Sequence, residues 1–134
     1  MIVYLLNILV VDDDRDTLRI IQKYFESKGA RVSAYSESLI ALQEFMKNSN
    51  GNNQYDLVLI DIKMPEMNGV ELASIIRRMN KEIPIILMTA AGIESISHSI
   101  FNLLNIEDVI AKPVKLKGLL EKVNTIKQNN IVRQ

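Results

Sequence analysis

Five short apolar runs constrain the fold of this chain more than any other feature of its sequence. They are rich in Val, Ile and Leu, and they lie at Asn7–Val11, Ala30–Tyr35, Leu57–Ile60, Pro84–Met88 and Ile106–Ala111. The second run is the least apolar of the five. Runs that are apolar on both faces are typical of parallel strands that helices cover on both sides. The sequence therefore predicts five strands of a buried parallel sheet.

Between these runs, apolar residues recur at helical spacing. Leu72, Ile75, Ile76 and Met79 stand at i, i+3, i+4 and i+7, which is one face of a helix. The other stripes contain Leu18, Ile21 and Phe25; Leu39, Leu42, Phe45 and Met46; Leu116, Leu119, Leu120, Val123 and Ile126; and, more weakly, Ile93–Leu104. Strict alternation of strands and helices predicts an α/β chain of the (βα)5 type with right-handed crossovers.

The length and composition indicate one globular domain. The chain has 134 residues, of which 48% are hydrophobic and 24% charged, close to the globular average. We expect a single domain over residues 1–134, with a core at about 7–128, a short tail at 129–134 and no second domain. Such a chain is either a stand-alone protein or an excised fragment.

The apolar start of the chain has the wrong properties for a membrane segment. Met1–Val11 is too short to span a bilayer, and it lacks the basic start and the cleavage site of a signal peptide. We interpret it as a buried strand, and we predict a cytoplasmic protein with no membrane partner.

Several classes of function are excluded by residue counts. The chain has no cysteine, so disulfides, zinc ribbons and thiol nucleophiles are absent. A single histidine, His98, excludes a multi-histidine metal site and makes a Ser-His-Asp triad a poor interpretation. Sixteen basic and sixteen acidic residues cancel, so no overall field favours nucleic acid, and we predict no direct nucleic-acid binding.

Polar residues follow four of the predicted strands at the point where each strand ends. They are Asp12-Asp13-Asp14, Asp61, Thr89 and Lys112-Pro113. Ligands of open α/β sheets bind beyond the carboxyl ends of the strands. Any one of these residues could simply cap the next helix, but capping explains the whole set poorly.

Clustered carboxylates repel one another unless a cation neutralises them. Oxygen ligands without cysteine or clustered histidine favour Mg²⁺, or Mn²⁺, in a site that keeps waters for a phosphate. A carboxylate beside such a cation and a lysine can attack phosphorus and form an aspartyl-phosphate.

Four motifs resemble the signature of two-component response-regulator receiver domains, the CheY-like family. They are Ile8–Asp14 (ILVVDDD), Asp61–Gly69 (DIKMPEMNG), Met88-Thr89-Ala90 and Lys112-Pro113, in order and at the family's distances. Each is weak alone, but together they are highly specific and cover about residues 7–128. The resemblance implies a flavodoxin-like sheet in the order 2-1-3-4-5, for which a family member is the standard example.

The resemblance also implies a role for each matched position. Asp61 matches the phosphoacceptor, and Lys112 matches the ammonium that pairs with the phosphate. Thr89 matches the hydroxyl that moves to the new phosphoryl group. The matched metal ligands are Asp13, Asp61, the backbone carbonyl of Lys63, and Asp12 through metal-bound waters. Lys112-Pro113 matches a cis peptide bond.

One position departs from the family pattern. Tyr or Phe usually stands three residues before the lysine, where its ring relays phosphorylation to the face of the fourth and fifth helices. Here that residue is Val109, which is β-branched and stiff at χ1. We hypothesise that phosphorylation alters this face less than in relatives with an aromatic ring, although Val109 could equally be a simple packing residue. The family's Gly-Ala before the fifth strand is also missing.

Three functions compete. The leading prediction is a switch that is not an enzyme in its own right: a sensor histidine kinase or phosphotransfer protein donates to Asp61, and a downstream protein responds. Such a switch would be a monomer or a weak phosphorylation-dependent dimer. The alternative is a docking module that ignores phosphate, which the complete acidic set disfavours. A Mg²⁺-dependent phosphatase would need an acid two residues after Asp61, where Lys63 stands.

Overall fold

The chain alternates strictly between strands and helices. The structure, a computed structural model, describes residues 6–49, 54–92 and 96–133, without the side chains of 130–133. The elements are β1 (Asn7–Val11), α1 (Arg15–Ser27), β2 (Arg31–Tyr35), α2 (Ser38–Asn48), β3 (Leu57–Asp61), α3 (Gly69–Met79), β4 (Ile85–Thr89), α4 (His98–Leu103), β5 (Asp108–Ala111) and α5 (Leu116–Arg133).

All five strands lie parallel in one sheet, in the order β2-β1-β3-β4-β5. The helices form a layer on each face: α2, α3 and α4 cover one core cluster, and α1 and α5 cover the other. Strands β3 and β4 are buried along their whole length, as two-sided cover requires. The predicted (βα)5 class and strand order are confirmed.

The largest local difference from the sequence prediction is at α4. The predicted helix Ile93–Leu104 begins at His98 in the structure, where Ser97 caps it by accepting the amide of Ile100 at 3.2 Å. Residues 93–95 lie outside the described part of the chain. Because α4 is short and has no fully buried residue, its apolar pattern is weak in the sequence.

The end of α4 explains why β5 begins at Asp108 and not at Ile106. Asn105 adopts a left-handed conformation with φ 51°. The amide of Ile106 donates to Phe101 O at 3.0 Å and that of Asn105 to Asn102 O at 3.2 Å, the pattern of a Schellman cap. Asn105 therefore serves at the turn where the family pattern has glycine.

The last helix extends further than the sequence predicted. Helix α5 continues to Arg133, through most of the segment 129–134 that we expected to be a short tail after the core. Of the predicted N-terminal strand Met1–Val11, residues 1–5 lie outside the described part, and β1 begins at Asn7. No helix in the described ranges is long and apolar enough to cross a membrane.

Candidate functional site

The four predicted strand ends meet at one edge of the sheet. Asp12 follows β1, Asp61 ends β3, Thr89 ends β4 and Lys112 follows β5. The parallel register places Asp61 beside Met88 and Thr89 beside Ala111, so the four positions are at the same level. Asp12, Asp61 and Thr89 are all buried, with at most 4% of each residue exposed.

Three carboxylates form a compact acidic cluster. Asp12, Asp13 and Asp61 each offer an oxygen, and these oxygens all lie within 4.8 Å of one another. Asp13 is exposed, so the cluster opens to solvent on that side. The backbone amide of Asp14 donates to Asp12 Oδ1 at 2.9 Å and holds that carboxylate in place.

The third aspartate of the motif, Asp14, caps the start of helix α1. Its carboxylate accepts the amide of Asp16 at 3.1 Å and the hydroxyl of Thr17 at 2.8 Å, so it is the N-cap of α1. These contacts, that of Thr17 first, hold the pKa of Asp14 below its usual value. Among the polar residues that follow the strands, Asp14 is therefore one that caps the next helix.

Lys112 provides the positive charge of the site. Its Nζ lies 2.8 Å from Asp12 Oδ2 and 3.6 Å from Asp61 Oδ2. The Lys112-Pro113 peptide bond is cis, as the family resemblance implied. One ammonium faces three carboxylates, so the ionised cluster keeps two negative charges.

The electrostatics of the cluster follow from burial and charge. Burial first, and then the negative charge of Asp12, raise the pKa of Asp61 to about 7, and Lys112 only partly opposes this. Burial lowers the pKa of Lys112, but the hydrogen bond and charge of Asp12 and the charge of Asp61 outweigh it, so that pKa is raised. The protein alone therefore holds Asp61 in an environment that disfavours its ionised form.

The residues of the cluster fit a hard divalent cation. All the side-chain donors are carboxylate oxygens, which Mg²⁺ prefers. Oδ2 of Asp12 is buried and accepts no well-oriented hydrogen bond from the described residues, although the ammonium of Lys112 forms a short ion pair with it. Lys63 lies in the loop two residues after Asp61 with an exposed side chain, and the ligand role of its carbonyl stays a prediction.

The hydroxyl of Thr89 is held by its own loop. Its Oγ1 accepts the amide of Ala91 at 3.0 Å, and its carbonyl accepts the amide of Lys112 at 2.8 Å. Thr89 thus lies at the same edge as the carboxylates, next to the strand that leads to the lysine. The single histidine, His98, is exposed at the start of α4.

The sequence did not reveal that Gly69 supports the acceptor directly. Its amide donates to Ile62 O at 2.7 Å, and a Cβ atom at this position would lie 2.2 Å from Asp61 O. Asn68 caps α3 in a capping box with Glu71. The Asn-Gly pair predicts a helix start, but only the structure shows that this helix starts against the backbone of Asp61.

Comparison with known proteins agrees with this geometry. The family profile described as "Response regulator receiver domain" matches residues 8–124, so the chain belongs to that family. It is 31% identical over 121 residues to the transcriptional regulatory protein RprY of Bacteroides fragilis and to the response regulator SaeR of Staphylococcus aureus. The alignments cover 90% of this chain and 49% and 50% of those proteins, so the chain spans about half their length.

Solved structures show the same fold. A CheY-like receiver domain protein from Methanospirillum hungatei superposes with a TM-score of 0.80 at 27% identity, over 94% of this chain and 97% of that one. A receiver domain from Clostridium thermocellum gives a TM-score of 0.82 at 25% identity, over 97% of this chain and 100% of that one. The flavodoxin-like architecture that the sequence implied is therefore that of a receiver domain.

Proposed function

We propose that this protein is a phosphoacceptor switch in which Asp61 takes a phosphoryl group from a phosphohistidine. The donor is a sensor histidine kinase or a phosphotransfer protein. One observation carries the proposal: the buried Asp61 carboxylate shares an oxygen-ligand cluster with Asp12 and Asp13 and has Lys112 Nζ 3.6 Å away. In the transfer, an Asp61 oxygen forms the new bond to phosphorus while the phosphorus–nitrogen bond breaks and its electron pair returns to the donor imidazole.

Each residue of the site has a distinct part in this proposal. Asp12, Asp13, Asp61 and the carbonyl of Lys63 would hold Mg²⁺ or Mn²⁺, which supplies positive charge to the phosphoryl oxygens. Lys112 pairs with the same oxygens, and it is already positioned by its ion pair with Asp12 at 2.8 Å. Thr89 exchanges its bond with the amide of Ala91 for one to the phosphoryl group.

The output of the switch is a change of shape that a partner protein reads. The domain is a regulator and not an enzyme that turns over external substrates, and it acts in the cytoplasm as a monomer or a weak phosphorylation-dependent dimer. Val109 is buried in the cluster that also contains Leu104 and Ile106, and it offers no aromatic ring to relay the change. This packing supports the smaller response of the α4–β5–α5 face that we predicted.

Phosphorylation by a small donor tests the function directly. We expect incubation with Mg²⁺ and acetyl phosphate to add the mass of one phosphoryl group, with the acid-stable and base-labile behaviour of an acyl phosphate. Asp61→Asn should abolish the label. Asp56→Asn, which alters an exposed aspartate just before β3 begins, should keep it.

Two results would contradict the proposal. The absence of any mass increase in the unmodified protein would favour the phosphate-independent docking module. Rapid turnover of unrelated phosphate esters would favour the phosphatase. Either result would leave the fold and family intact. The first would remove Asp61 as a phosphoacceptor, and the second would make Asp61 the nucleophile of a hydrolase.

A further inference from the structure

A buried arginine lies outside the candidate site and joins two helices. Arg77 of α3 is only 9% exposed. Its Nε donates to Leu104 O at 2.7 Å, its Nη2 to Asn105 O at 3.1 Å and its Nη1 to Asn80 O at 3.1 Å. A guanidinium that is taken out of water needs such acceptors, because an unpaired buried charge is very costly.

The acceptors of Arg77 lie at the ends of two elements. Asn80 is the C-cap of α3, while Leu104 and Asn105 form the end of α4. The last carbonyls of a helix have no partner within the helix, and here a side chain of a different helix satisfies them. Burial lowers the pKa of Arg77 and the charge of Glu107 opposes this, but an arginine in a protein stays protonated.

The turn after α4 is held on its other side by main-chain bonds. The Schellman pattern described above closes the end of α4, and the amide of Glu107 donates to Ile85 O at 2.8 Å, where β5 joins β4. Ile106 is buried between these two contacts, with 4% of its surface exposed. The turn Leu104–Glu107 is therefore fastened to α3, to α4 and to the sheet.

The opposite end of α3 touches the acceptor strand. The amide of Gly69 donates to Ile62 O at 2.7 Å, and the glycine leaves no space for a Cβ atom against Asp61 O. Helix α3 is thus tied to the backbone of Asp61 at its start and, through Arg77, to the end of α4 at its finish. The end of α4 has a fixed position relative to the acceptor.

The remainder of α4 has weaker attachments. None of its six residues is fully buried. Ile100 and Phe101 pack only partly against the core. The start of α4 is also the end that the chain connects to Thr89, whose hydroxyl changes partner in the proposed switch.

We propose that Arg77 fixes the C-terminal end of α4 in both states of the switch, so that phosphorylation of Asp61 turns α4 about this end. The first part concerns the unmodified protein, and the second rests on the proposed function. Arg77 is a positioning residue, since it touches none of the reacting groups.

Hydrogen exchange of the unmodified protein tests the first part. We expect Arg77→Met to speed exchange of the amides of Leu104, Asn105 and Ile106 roughly tenfold more than that of the central strands, because three carbonyls lose their donors. Arg77→Lys, which can still donate to one of them, should give a smaller increase. The neighbouring exposed Arg78→Met is the matched control and should leave these amides unchanged.

The phosphoryl mimic beryllofluoride, added with Mg²⁺, tests the second part through backbone amide shifts. In the unsubstituted protein the changes on α4 should be larger at Ser97–Ile100 than at Leu104–Ile106. In Arg77→Met they should extend through Leu104–Ile106, and in Arg77→Lys they should extend less far. Phosphorylation of Asp61 by acetyl phosphate should proceed equally in all three proteins.

Three outcomes would overturn the inference, and they are distinct from failure of the proposed function. If Arg77→Met left hydrogen exchange at Leu104–Ile106 unchanged, Arg77 would not be what fixes the end of α4. Two results for the amide shifts would contradict a turn of α4 about this end. One is equal shifts at both ends of α4 in the unsubstituted protein, and the other is an unchanged difference between the two ends in Arg77→Met. If the mimic caused no shift even at Asp61 and Thr89, both the phosphoacceptor function and the turn of α4 would be contradicted. The hydrogen-exchange experiment would still test whether Arg77 fixes the end of α4.

Discussion

The two groups that face each other in the site, Asp61 and Lys112, each precede a helix, and the two helices are held differently. Helix α3, after Asp61, starts with a capping box and a close contact at Gly69, and the buried Arg77 in its last turn binds the end of α4. Helix α5, after Lys112, contains Gly118, which has open space where a Cβ would lie. It also contains the buried Nδ2 of Asn124, which has no hydrogen-bond partner in the described part of the chain.

The difference shows where the chain fixes its geometry most tightly. A carboxylate that attacks phosphorus must keep its position relative to its metal ligands, and contacts along α3 support the backbone that carries it. The lysine stands on a long, flexible side chain and tolerates small shifts of the helix behind it. Gly118 and Asn124 therefore mark places where α5 can be improved without loss of the site, whereas α3 offers no equivalent at Gly69.

Because α3 is held more tightly than α5, we expect substitution of Gly69 to have the largest effect on stability. A Cβ atom there would lie 2.2 Å from Asp61 O and 2.7 Å from Ile62 Cα, and both are backbone atoms that cannot turn aside. We expect Gly69→Ala to lower the free energy of unfolding by about 3 kcal/mol and to slow labelling of Asp61. Urea unfolding measures the first effect and acetyl phosphate labelling the second. If Gly69→Ala lowered the free energy of unfolding no more than a substitution at an exposed position, α3 would not be held more tightly than α5.

The charge of Asp61 should give the next largest effect, with a clear pH dependence. The pKa is raised from 3.8 to about 7 in the folded protein. Its contribution to stability is therefore fully present below about pH 4 and is lost as the pH rises to about 7. In EDTA, we expect Asp61→Asn to be more stable than the parent by roughly 2 kcal/mol at pH 8 and nearly equal to it at pH 4.

Added Mg²⁺ supplies the control for this pH effect. The cation stabilises the ionised carboxylates of the parent, so the advantage of Asp61→Asn at pH 8 should shrink as Mg²⁺ is added. Urea midpoints at pH 4 and pH 8, with EDTA or with Mg²⁺, separate the two effects. An advantage that is independent of pH would argue against a carboxylate held near neutrality.

A smaller gain is expected inside α5. Asn124 is 8% exposed, and its Nδ2 has no hydrogen-bond partner among the described residues. An apolar side chain of the same shape removes that desolvation cost, so Asn124→Leu should raise the free energy of unfolding by about 1 kcal/mol. Asn129→Leu changes an exposed position of the same helix and should have little effect. A loss of stability in Asn124→Leu would show that the amide has a partner in solution.

The smallest expected effect is at Gly118, in the first turn of α5. A Cβ atom there meets nothing within 4 Å. It would point into the open groove of about 420 Å³ between β5 and α5. Because glycine is a poor helix former, Gly118→Ala should raise the free energy of unfolding by about 0.5 kcal/mol. Thermal unfolding of this variant beside Gly69→Ala compares the same change at two sites, and destabilisation in both would remove the contrast between the helices.

The sequence predicted most of the fold because its strands are apolar on both faces and end in polar residues. Strands β1, β3 and β4 were predicted to within one residue, since every position in them is either buried or at an end. The strand order followed from resemblance and not from periodicity, which cannot distinguish one permutation of parallel strands from another.

Contacts between distant parts of the chain were not predictable in the same way. In the sequence, Arg77 resembles any other charged residue of an amphipathic helix. Its acceptors are main-chain carbonyls, which every residue has, so no residue type in the sequence indicates them. Asn105 was missed because the family pattern has glycine at this turn, and asparagine can take the left-handed conformation as well. The roles of Asp12, Asp61, Thr89 and Lys112 stay predictions, although the structure brings all four to one edge.

The capping box before α3 also protects the protein against chemical ageing. An Asn-Gly pair is prone to deamidation, in which the glycine nitrogen attacks the asparagine side chain and closes a succinimide. Here the amide of Gly69 donates to Ile62 O at 2.7 Å, and Asn68 Oδ1 accepts the amide of Glu71 at 2.9 Å. The folded chain keeps both reactants engaged, so we expect this pair to deamidate more slowly in the folded protein than in the unfolded one.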